Sequence, residues 1–365
     1  MNGTPRTALI TGGAGFIGSN LAERLLNQSG VRVRIFDNLS RRGVGHNLDW
    51  LRSLPESKKL SIIQGDVRDA KAVQDAVRNV TEIYHLAAQV AVTTSLDDPA
   101  SDFNVNALGT LNVLEAARNS NRKPLLLYTS TNKVYGSLEN LPVEVEGSHY
   151  RASDPTFQGI NESERLDFHS PYGCSKGAAD QYVHDYARIY DLPTVIFRMS
   201  CIAGPRQFGN EDQGWVAHFL YSILAGRPIT IYGNGYQVRD VLHVHDLIDA
   251  MMAVREAEDN TRGQIFNLGG GTQRVISVIE MLRKIERRTG SPLHLEYSDT
   301  RPGDQPLYIS DTSKLQGCTN WRPCRSLDHI FDDIHRFWIK SREVIATSAI
   351  TPRHTQEELV AQEVA

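Results

Sequence analysis

The chain has 365 residues, of which 40% are hydrophobic, and a formal net charge of -4. This length and composition suffice for a large α/β core with a second lobe attached. The mild acidity argues against a nucleic-acid partner, and the sequence contains no apolar run of about 18 residues that could span a membrane. Because no apolar signal core follows the N-terminus, we expect a cytoplasmic protein.

Four cysteines are spread along the chain at positions 174, 201, 318 and 324. Their spacing is neither that of a zinc site nor that of a disulfide-rich scaffold. The sequence therefore predicts reduced thiols and no bound metal.

Short apolar runs alternate with helical patterns along the first 200 residues. The runs begin at Thr7, Val31, Leu60, Glu82, Pro124 and Pro193. Segments long enough for crossover helices lie between them, at residues 20–28, 70–78, 110–119 and 176–190. This alternation predicts an α/β fold in which a doubly wound parallel sheet, the Rossmann arrangement, occupies residues 1–200.

The pattern changes after residue 200, where glycine-rich loops and shorter helices follow. We expect helices at residues 215–225 and 278–289, within a smaller substrate-binding lobe that covers residues 201–340. The apolar run at residues 264–268 predicts a strand that returns to the main sheet. Residues 341–365 become polar and predict a flexible tail.

A glycine-rich string, TGGAGFIG, follows the first predicted strand and opens the first helix. Glycines at this point permit a tight turn and let a pyrophosphate rest on the helix N-terminus. An acidic residue, Asp37, ends the second strand 19 positions after Gly18. Its carboxylate can accept hydrogen bonds from the ribose hydroxyls and repels a 2'-phosphate, which favours NAD over NADP. The predicted cofactor contacts here are Gly12, Gly15, Phe16, Ile17, Gly18, Asp37 and Asn38.

Further cofactor contacts are expected at the carboxyl ends of the third and fourth strands, because ligands bind there in doubly wound sheets. Asp66 and Val67 follow the third strand, where the edge of an adenine ring could be recognised. Leu86, Ala87 and Ala88 follow the fourth strand, and the small side chains permit close passage of the cofactor.

The segment SPYGCSK places Tyr172 four residues before Lys176, so that both side chains lie on one face of a helix. A nearby ammonium favours the phenolate, and we expect Lys176 to lower the pKa of Tyr172. This spacing alone is common on ordinary helix surfaces. The hydroxyl of Thr131, at the end of the fifth strand, supplies a third group for exchanging a proton with a sugar hydroxyl.

With these motifs the chain resembles the extended short-chain dehydrogenase/reductase superfamily of nucleotide-sugar epimerases and dehydratases. The resemblance covers about residues 6–336 and includes HLAA at His85, NVNALGTLN at Asn104, STNKVYG at Ser130, RDVLHVHD at Arg239 and RPGD at Arg301. Within the superfamily, the chain is most similar to the CDP-paratose 2-epimerase, or CDP-tyvelose 2-epimerase, family.

The resemblance implies epimerisation at C2 of a nucleotide-activated hexose through a transient 2-keto sugar, with NAD regenerated in each cycle. It implies a cofactor contact at Asn104 and a homodimer, or a higher homo-oligomer, formed through helices after Asn106 and Tyr172. The substrate contacts implied by the matching motifs, or expected in polar loops, are Gln89, Thr93, Thr94, Asn132, Lys133, Arg206, Arg239 and Arg301.

Three other functions compete with this interpretation. A 4,6-dehydratase of the superfamily carries an Asp-Glu pair after the catalytic threonine, where this chain has Asn132 and Lys133. A 4-epimerase uses the same three catalytic groups and differs only in how the sugar is presented. A non-catalytic NAD-sensing protein would not need Thr131, Tyr172 and Lys176 together.

Overall fold

The structure, a computed structural model, describes residues 6–301 and 303–350. Its strands, in chain order, are β1 (Arg6–Thr11), β2 (Val31–Asp37), β3 (Leu60–Gln64), β4 (Glu82–His85), β5 (Leu125–Thr131), β6 (Val143–Glu146), β7 (His149–Ala152), β8 (Thr194–Met199), β9 (Cys201–Ala203), β10 (Ile229–Tyr232), β11 (Val238–His243), β12 (Gln264–Leu268), β13 (Val275–Ser277), β14 (Leu295–Ser298) and β15 (Leu307–Tyr308).

The helices, numbered in the same way, are α1 (Phe16–Leu26), α2 (Val44–Ser53), α3 (Ala70–Val77), α4 (Val92–Asp97), α5 (Pro99–Phe103), α6 (Gly109–Arg118), α7 (Ser170–Tyr190), α8 (Trp215–Leu224), α9 (Val244–Glu256), α10 (Glu258–Thr261), α11 (Val278–Thr289), α12 (Ser313–Thr319) and α13 (Leu327–Ile350). A π-helical turn, Asn104–Leu108, joins α5 to α6. None of the described helices is long and apolar enough to cross a membrane.

Seven strands form the central sheet in the order β12-β8-β5-β4-β1-β2-β3, and every pair of neighbours is parallel. The connections run outward in opposite directions from β1 and β4, so the switch point at which such sheets bind ligands lies between these two strands. The predicted doubly wound sheet is confirmed. The predicted return of residues 264–268 is also confirmed, because β12 pairs with β8.

Both faces of the sheet are covered, as the nearly continuous apolar strands require. Along β1, Ala8 and Ile10 pack on one face with Leu21 of α1, whereas Leu9 packs on the other face with Val113 of α6. Alternate side chains of a strand point to opposite faces, so β1 contributes to two cores at once.

The lobe has its own core, in which α8, α11 and α13 contribute the buried side chains Leu220, Leu282 and Ile334. Next to it, β11 pairs with β9, β13 and β15, while β10 pairs with β14. The lobe therefore stands on a small sheet whose central strand carries Arg239.

Packing contacts cross the predicted boundary at residue 200, and the division into domains stays a prediction. The hairpin β6–β7 precedes the boundary, yet Ala152 packs with Val238 and Leu307 of the lobe. Helix α9 follows the boundary, yet Leu247 belongs to the core of the central sheet. Local patterns do not reveal such exchanges, because they depend on which surfaces meet.

The predicted flexible tail begins ten residues too early. Residues 341–350 continue α13, and Ile345 is buried against the core of the lobe. The helix that starts at Leu327 continues through this polar segment, because Ile345 lies on its apolar face and packs on the lobe. The rest of the predicted tail, residues 351–365, lies outside the described residues.

Candidate active site

A cavity of about 850 Å³ lies at the carboxyl edge of the central sheet, between the sheet and the lobe. Its lining extends from the glycine loop after β1, past Thr131 and Tyr172, to Arg239 and Arg301 in the lobe. One continuous space therefore joins the predicted cofactor site to the predicted substrate site.

The glycine loop leaves no room for side chains. Gly12 has φ +68°, and a Cβ atom there would lie 2.8 Å from the backbone nitrogen of Ala87. A Cβ atom on Gly18 would lie 2.4 Å from the carbonyl oxygen of Gly12. Helix α1 begins directly after Gly15 and no side chain caps its first turn. The backbone N–H groups of this turn suit a pyrophosphate, so the loop fits a dinucleotide cofactor.

Asp37 lines the cavity with a carboxylate that is 9% exposed. Its oxygens accept hydrogen bonds from the backbone N–H groups of Leu39 (2.8 Å) and Ala14 (3.0 Å). Burial raises the pKa of Asp37, against the lowering effect of these two N–H groups and of Arg41. The two N–H groups orient the carboxylate towards the position expected for the ribose hydroxyls.

Asp66 closes the adenine end of the predicted cofactor site. Its carboxylate forms an ion pair with Arg68 (2.8 Å) and accepts a hydrogen bond from Asn38 Nδ2 (2.9 Å), and these contacts hold its pKa well below the usual range. The remaining predicted cofactor residues also line the cavity, apart from Asn104: they are Phe16, Ile17, Gly18, Val67, Leu86, Ala87 and Ala88.

The structure corrects the prediction for Asn104, which is exposed and lies outside the cavity lining. The π-helical turn places Asn106 inward instead, with 1% exposure. The Asn106 side chain accepts a hydrogen bond from the Gln89 backbone N–H (2.9 Å) and donates one to the Gln89 carbonyl oxygen (3.0 Å). The motif contains both asparagines, and the π-helical turn leaves Asn104 exposed and Asn106 buried.

The three predicted catalytic residues meet in the middle of the cavity. Thr131 ends β5, and Tyr172 lies near the start of α7. Lys176 lies one turn further along α7, donates from Nζ to the Thr129 carbonyl oxygen (2.7 Å) and stands 4.2 Å from the centre of the Tyr128 ring. All three side chains are buried and all three line the cavity.

The electrostatics of this group differ from the sequence-based expectation. Burial raises the pKa of Tyr172 to about 12, although the Thr131 side chain and the charge of Arg41 lower it. Lys176 is not among the groups that lower this pKa, contrary to the expectation. Burial lowers the pKa of Lys176 itself to about 7, against the raising effects of Asp180 and Asp102. Desolvation is the largest contribution to both pKa shifts because both side chains are buried.

On the lobe side of Thr131, a cluster of ion pairs forms the floor of the cavity. The Asp304 carboxylate accepts hydrogen bonds from Arg239 Nη2 (2.6 Å) and Lys133 Nζ (3.4 Å). Burial raises the pKa of Asp304, but these two cations outweigh it and leave the pKa below its usual value. Asn132 donates to the Gln305 side chain at 2.9 Å. Sequence reasoning missed both acceptors, although Asp304 ends the RPGD motif and Gln305 directly follows it.

The two other arginines predicted at the substrate site have different outcomes. Arg301 lines the cavity, stacks 3.9 Å from the centre of the Tyr232 ring and donates to the Glu211 carbonyl oxygen (3.4 Å). Arg206 is not a lining residue, because its guanidinium stacks 3.2 Å from the centre of the Trp50 ring. The substrate contact predicted for Arg206 is therefore not supported.

Gln89, in the loop after β4, and Thr94, in α4, line the cavity, whereas Thr93 lies outside the lining. Arg41, four residues after Asp37, also lines the cavity. Its guanidinium donates a hydrogen bond to Gln213 of the lobe. Arg41 therefore bridges the two sides of the cavity mouth, a contact between segments 172 residues apart that no local pattern reveals.

Comparison with known proteins assigns the chain to a family. The family profile described as GDP-mannose 4,6 dehydratase matches residues 9–334. The chain belongs to this family. The membership agrees with the motifs that resemble the extended short-chain dehydrogenase/reductase superfamily.

Members of this group that resemble the chain include epimerases. The chain is 43% identical over 325 residues to the CDP-paratose 2-epimerase of Salmonella typhi, a match that covers 86% of this chain and 94% of that protein. It is 33% identical over 316 residues to the UDP-glucose 4-epimerase of Mycolicibacterium smegmatis, which covers 86% and 93%.

A solved structure of the same fold contains both kinds of ligand that the cavity predicts. The UDP-glucuronic acid 4-epimerase of Bacillus cereus, in complex with UDP-glucuronic acid and NAD, superposes with a TM-score of 0.77 at 26% identity. The match covers 92% of this chain and 99% of that one.

Proposed function

We propose that the protein is an NAD-dependent nucleotide-sugar epimerase that inverts C2 of a CDP-activated deoxyhexose, of the CDP-paratose and CDP-tyvelose type. The choice of an epimerase is supported by the relatives at 43% and 33% identity. The choice of C2 and of a CDP-sugar is supported by the more similar of the two, the CDP-paratose 2-epimerase.

One observation supports the reaction type most strongly: Thr131, Tyr172 and Lys176 share the cavity with the glycine loop and Asp37. This arrangement brings a proton-exchanging phenol next to a dinucleotide site. The two residues after Thr131, Asn132 and Lys133, carry no carboxyl group that could take part in removing water. Asn132 donates instead to Gln305, and Lys133 donates to Asp304.

The cofactor is NAD, and residues of this chain fit it at both ends. Gly12, Gly15 and Gly18 permit close approach of the pyrophosphate to the backbone, and Asp37 suits an unphosphorylated ribose. When bound, NAD takes a hydride from the sugar carbon and returns it, and the positive charge of its nicotinamide ring favours the phenolate form of Tyr172.

Tyr172 takes the proton of the C2 hydroxyl as the carbon is oxidised and gives it back as the 2-keto sugar is reduced on the opposite face. Thr131, which lines the cavity beside Tyr172, orients the same hydroxyl and stabilises the charge that develops on its oxygen. Lys176 is anchored to the Thr129 carbonyl oxygen and presents its charge to the cofactor ribose.

The nucleotide diphosphate of the substrate would lie on the lobe side, where Arg239 and Arg301 line the cavity. A guanidinium suits phosphate oxygens through charge and through several donors. Asp304 pairs with Arg239 and holds it against the floor of the cavity, and stacking on Tyr232 holds Arg301. Both arginines are thus preorganised, which reduces the entropic cost of binding.

A second candidate is epimerisation at C4, because the same three groups serve either carbon and one relative is a UDP-glucose 4-epimerase. Dehydration is disfavoured because Asn132 and Lys133 supply no carboxyl group. A non-catalytic NAD sensor is disfavoured because it would have no use for Thr131, Tyr172 and Lys176 together in one cavity.

We also propose a homodimer or a higher homo-oligomer. Large apolar side chains are exposed on the neighbouring segments α5 to α7, where Phe103 is 55%, Leu108 38% and Ile189 63% exposed. Large exposed apolar groups on adjacent helices are typical of interaction surfaces. A monomeric mass in sedimentation or light scattering would contradict this proposal.

The function is tested by incubating the purified protein with CDP-paratose, UDP-glucose and GDP-mannose and locating any inverted carbon by NMR. We expect inversion at C2 of CDP-paratose. Inversion only at C4 of UDP-glucose would replace the proposal by the second candidate, and loss of water from GDP-mannose would indicate a dehydratase.

A further inference from the structure

Asp102 is a buried carboxyl group next to the catalytic residues that the proposed mechanism does not use. It lies on α5 with 1% exposure and does not line the cavity. Its oxygens accept hydrogen bonds from Ser175 Oγ and from Asn106 Nδ2 (3.1 Å). Within residues 6–301 and 303–350, no cation lies within ion-pair distance of it. A buried carboxyl group without an ion pair is costly, which suggests that its charge has a use.

The hydrogen bonds of Asp102 lead to the catalytic turn of α7. Ser175 directly precedes Lys176, and its hydroxyl also lies 3.2 Å from the Tyr172 carbonyl oxygen. A single serine therefore ties the backbone of the catalytic turn to a carboxyl group on another helix. Because α7 moves as a rigid element, this contact sets where the phenol and the ammonium lie relative to β5.

The same carboxyl group also reaches the other wall of the cavity. Asn106, which donates to Asp102, holds the backbone of Gln89 through two hydrogen bonds of 2.9 and 3.0 Å. Gln89 lines the cavity directly after the segment that passes the cofactor. Asp102 thus lies at the junction between the catalytic helix and the loop after β4.

Two buried carboxyl groups, Asp180 and Asp102, raise the pKa of Lys176, and they differ in their hydrogen-bond partners. Asp180 forms two hydrogen bonds with the Arg198 guanidinium, at 2.8 and 3.0 Å, so its charge is largely offset. Asp102 has only neutral hydrogen-bond donors. Several other charged or titratable groups surround Tyr172 and Lys176. They are Asp102, Asp180 with its partner Arg198, His85 and Arg41. The ring of Tyr128 lies against Lys176.

We propose that Asp102 is a positioning residue for the hydride-transfer site: its carboxylate is the counter-charge of Lys176 and, through Ser175, holds the catalytic turn of α7 in place. This inference rests on the proposed function, since it assigns a role within that reaction. The counter-charge keeps an ammonium stable in a desolvated site, where it would otherwise lose its proton.

The test is the pH profile of kcat/KM for Asp102→Asn, measured with the nucleotide sugar that the wild-type enzyme converts. Asn has the same shape and can still pair with Ser175 and Asn106, so mainly the charge changes. Without the negative charge, each proton of the Tyr172–Lys176 pair is lost more easily. Both limbs of the profile are expected to move to lower pH by about one unit, whichever residue each limb reports.

A second readout does not depend on turnover. The pH at which the Tyr172 phenolate forms is measured in the holoenzyme by ultraviolet absorbance, as the difference from Tyr172→Phe. This pH is expected to be lower in Asp102→Asn than in the wild type, as is expected for both limbs of the kcat/KM profile. The matched control is Asp98→Asn at the start of the same helix, where an exposed carboxylate that caps α5 is neutralised without loss of its capping ability. Its profile should coincide with that of the wild type.

A merely structural role for Asp102 would lower kcat and the NAD content and leave both limbs and the phenolate titration in place, and that result would overturn the proposal. If Asp102→Asn does not fold, Asp102→Ser, which is also neutral, is measured in the same way. A wild-type enzyme without activity on any tested sugar would contradict the proposed function instead, and the phenolate titration would then test Asp102 alone.

Discussion

The two ends of the cavity are built in different ways. At the cofactor end, the contacts come from backbone groups and short loops that directly follow β1, β2, β3 and β4, such as the loop after Gly12. At the substrate end, they come from side chains held by ion pairs between distant segments, as between Lys133 and Asp304, which are 171 residues apart. The fold itself therefore supplies the cofactor end, whereas the substrate end depends on particular charged partners.

The catalytic residues lie where these two ends meet, and the largest effect is expected there. Tyr172→Phe removes only the phenol oxygen that exchanges the proton. We expect kcat to fall about 10³-fold, since a positioned acid/base group contributes about 10²- to 10⁴-fold. The NAD content should be unchanged because the glycine loop and Asp37 are intact. Steady-state turnover and the NAD content per chain measure both effects.

The control for this variant is Tyr297→Phe, which alters a tyrosine that is 62% exposed on the lobe. Its turnover should equal that of the wild type. Turnover by Tyr172→Phe at the wild-type rate would remove Tyr172 from the mechanism.

At the substrate end, Arg239→Gln tests whether the charged floor binds the diphosphate. We expect KM for the nucleotide sugar to rise about 10- to 100-fold, because hydrogen bonds to charged groups contribute about 1.5–3 kcal/mol. The NAD content should not change. Initial rates over a range of substrate concentrations measure the shift in KM.

Arg206→Gln is the matched control for Arg239→Gln. Sequence reasoning placed Arg206 at the substrate, but the structure stacks it on Trp50 outside the cavity. KM should remain at its wild-type value in this variant. Equal increases in KM for both variants would show that the charged floor of the cavity is not what binds the diphosphate.

At the cofactor end, Gly18→Ala tests whether backbone packing alone makes the site. The added Cβ atom would lie 2.4 Å from the Gly12 carbonyl oxygen, so the loop must shift. We expect the free energy of unfolding to fall by about 1–3 kcal/mol and NAD to be lost. Denaturant unfolding and the NAD content provide the measurements.

Gly45→Ala provides the comparison for Gly18→Ala. Gly45 lies in helix α2, and a Cβ atom there would meet nothing within 4 Å. Alanine is favoured over glycine in a helix by about 1 kcal/mol, so this variant should be at least as stable as the wild type. A loss of stability equal to that of Gly18→Ala would mean that close packing at the glycine loop is not the cause.

The last prediction concerns pH and His85, which lies behind the cofactor end and is 1% exposed. Burial lowers its pKa to about 3. Below the unfolded value of about 6.5, the unfolded chain gains a proton that the folded protein does not, so stability falls as pH decreases towards 3. We expect His85→Gln to weaken this dependence by up to about 1.4 kcal/mol per pH unit.

Thermal or denaturant unfolding between pH 7 and pH 4 measures this dependence. The control is His329→Gln, which removes an exposed histidine on α13 and should leave the slope as in the wild type. An unchanged slope in His85→Gln would show that the buried ring does not contribute to the acid sensitivity.

Most of the residues predicted for the cofactor end line the cavity, because the signals that mark them are local. Apolar runs mark the strands, and the residues that follow them, such as Asp37 and Asp66, meet at one edge of the sheet wherever the strands are parallel. The contact that the resemblance implies for Asn104 is not supported, because the π-helical turn leaves Asn104 exposed and Asn106 buried.

The substrate end was predicted only in part. Asp304 and Gln305 pair with residues far away in the sequence, and no periodicity reports such contacts. The pKa of Tyr172 was misjudged because burial, which depends on the whole fold, outweighs its neighbours. Arg206 was misplaced because its guanidinium packs on Trp50, a residue far away in the sequence.

The central claim is reversible hydride transfer at C2 of the sugar, and one measurement tests it directly. CDP-paratose that carries deuterium at C2 is incubated with the enzyme in ordinary water, and the product is analysed by NMR. We expect the epimer at C2 with the deuterium still bound to C2, because the hydride returns to the carbon that released it. Loss of the label to solvent, or inversion at another carbon with C2 unchanged, would contradict hydride transfer at C2.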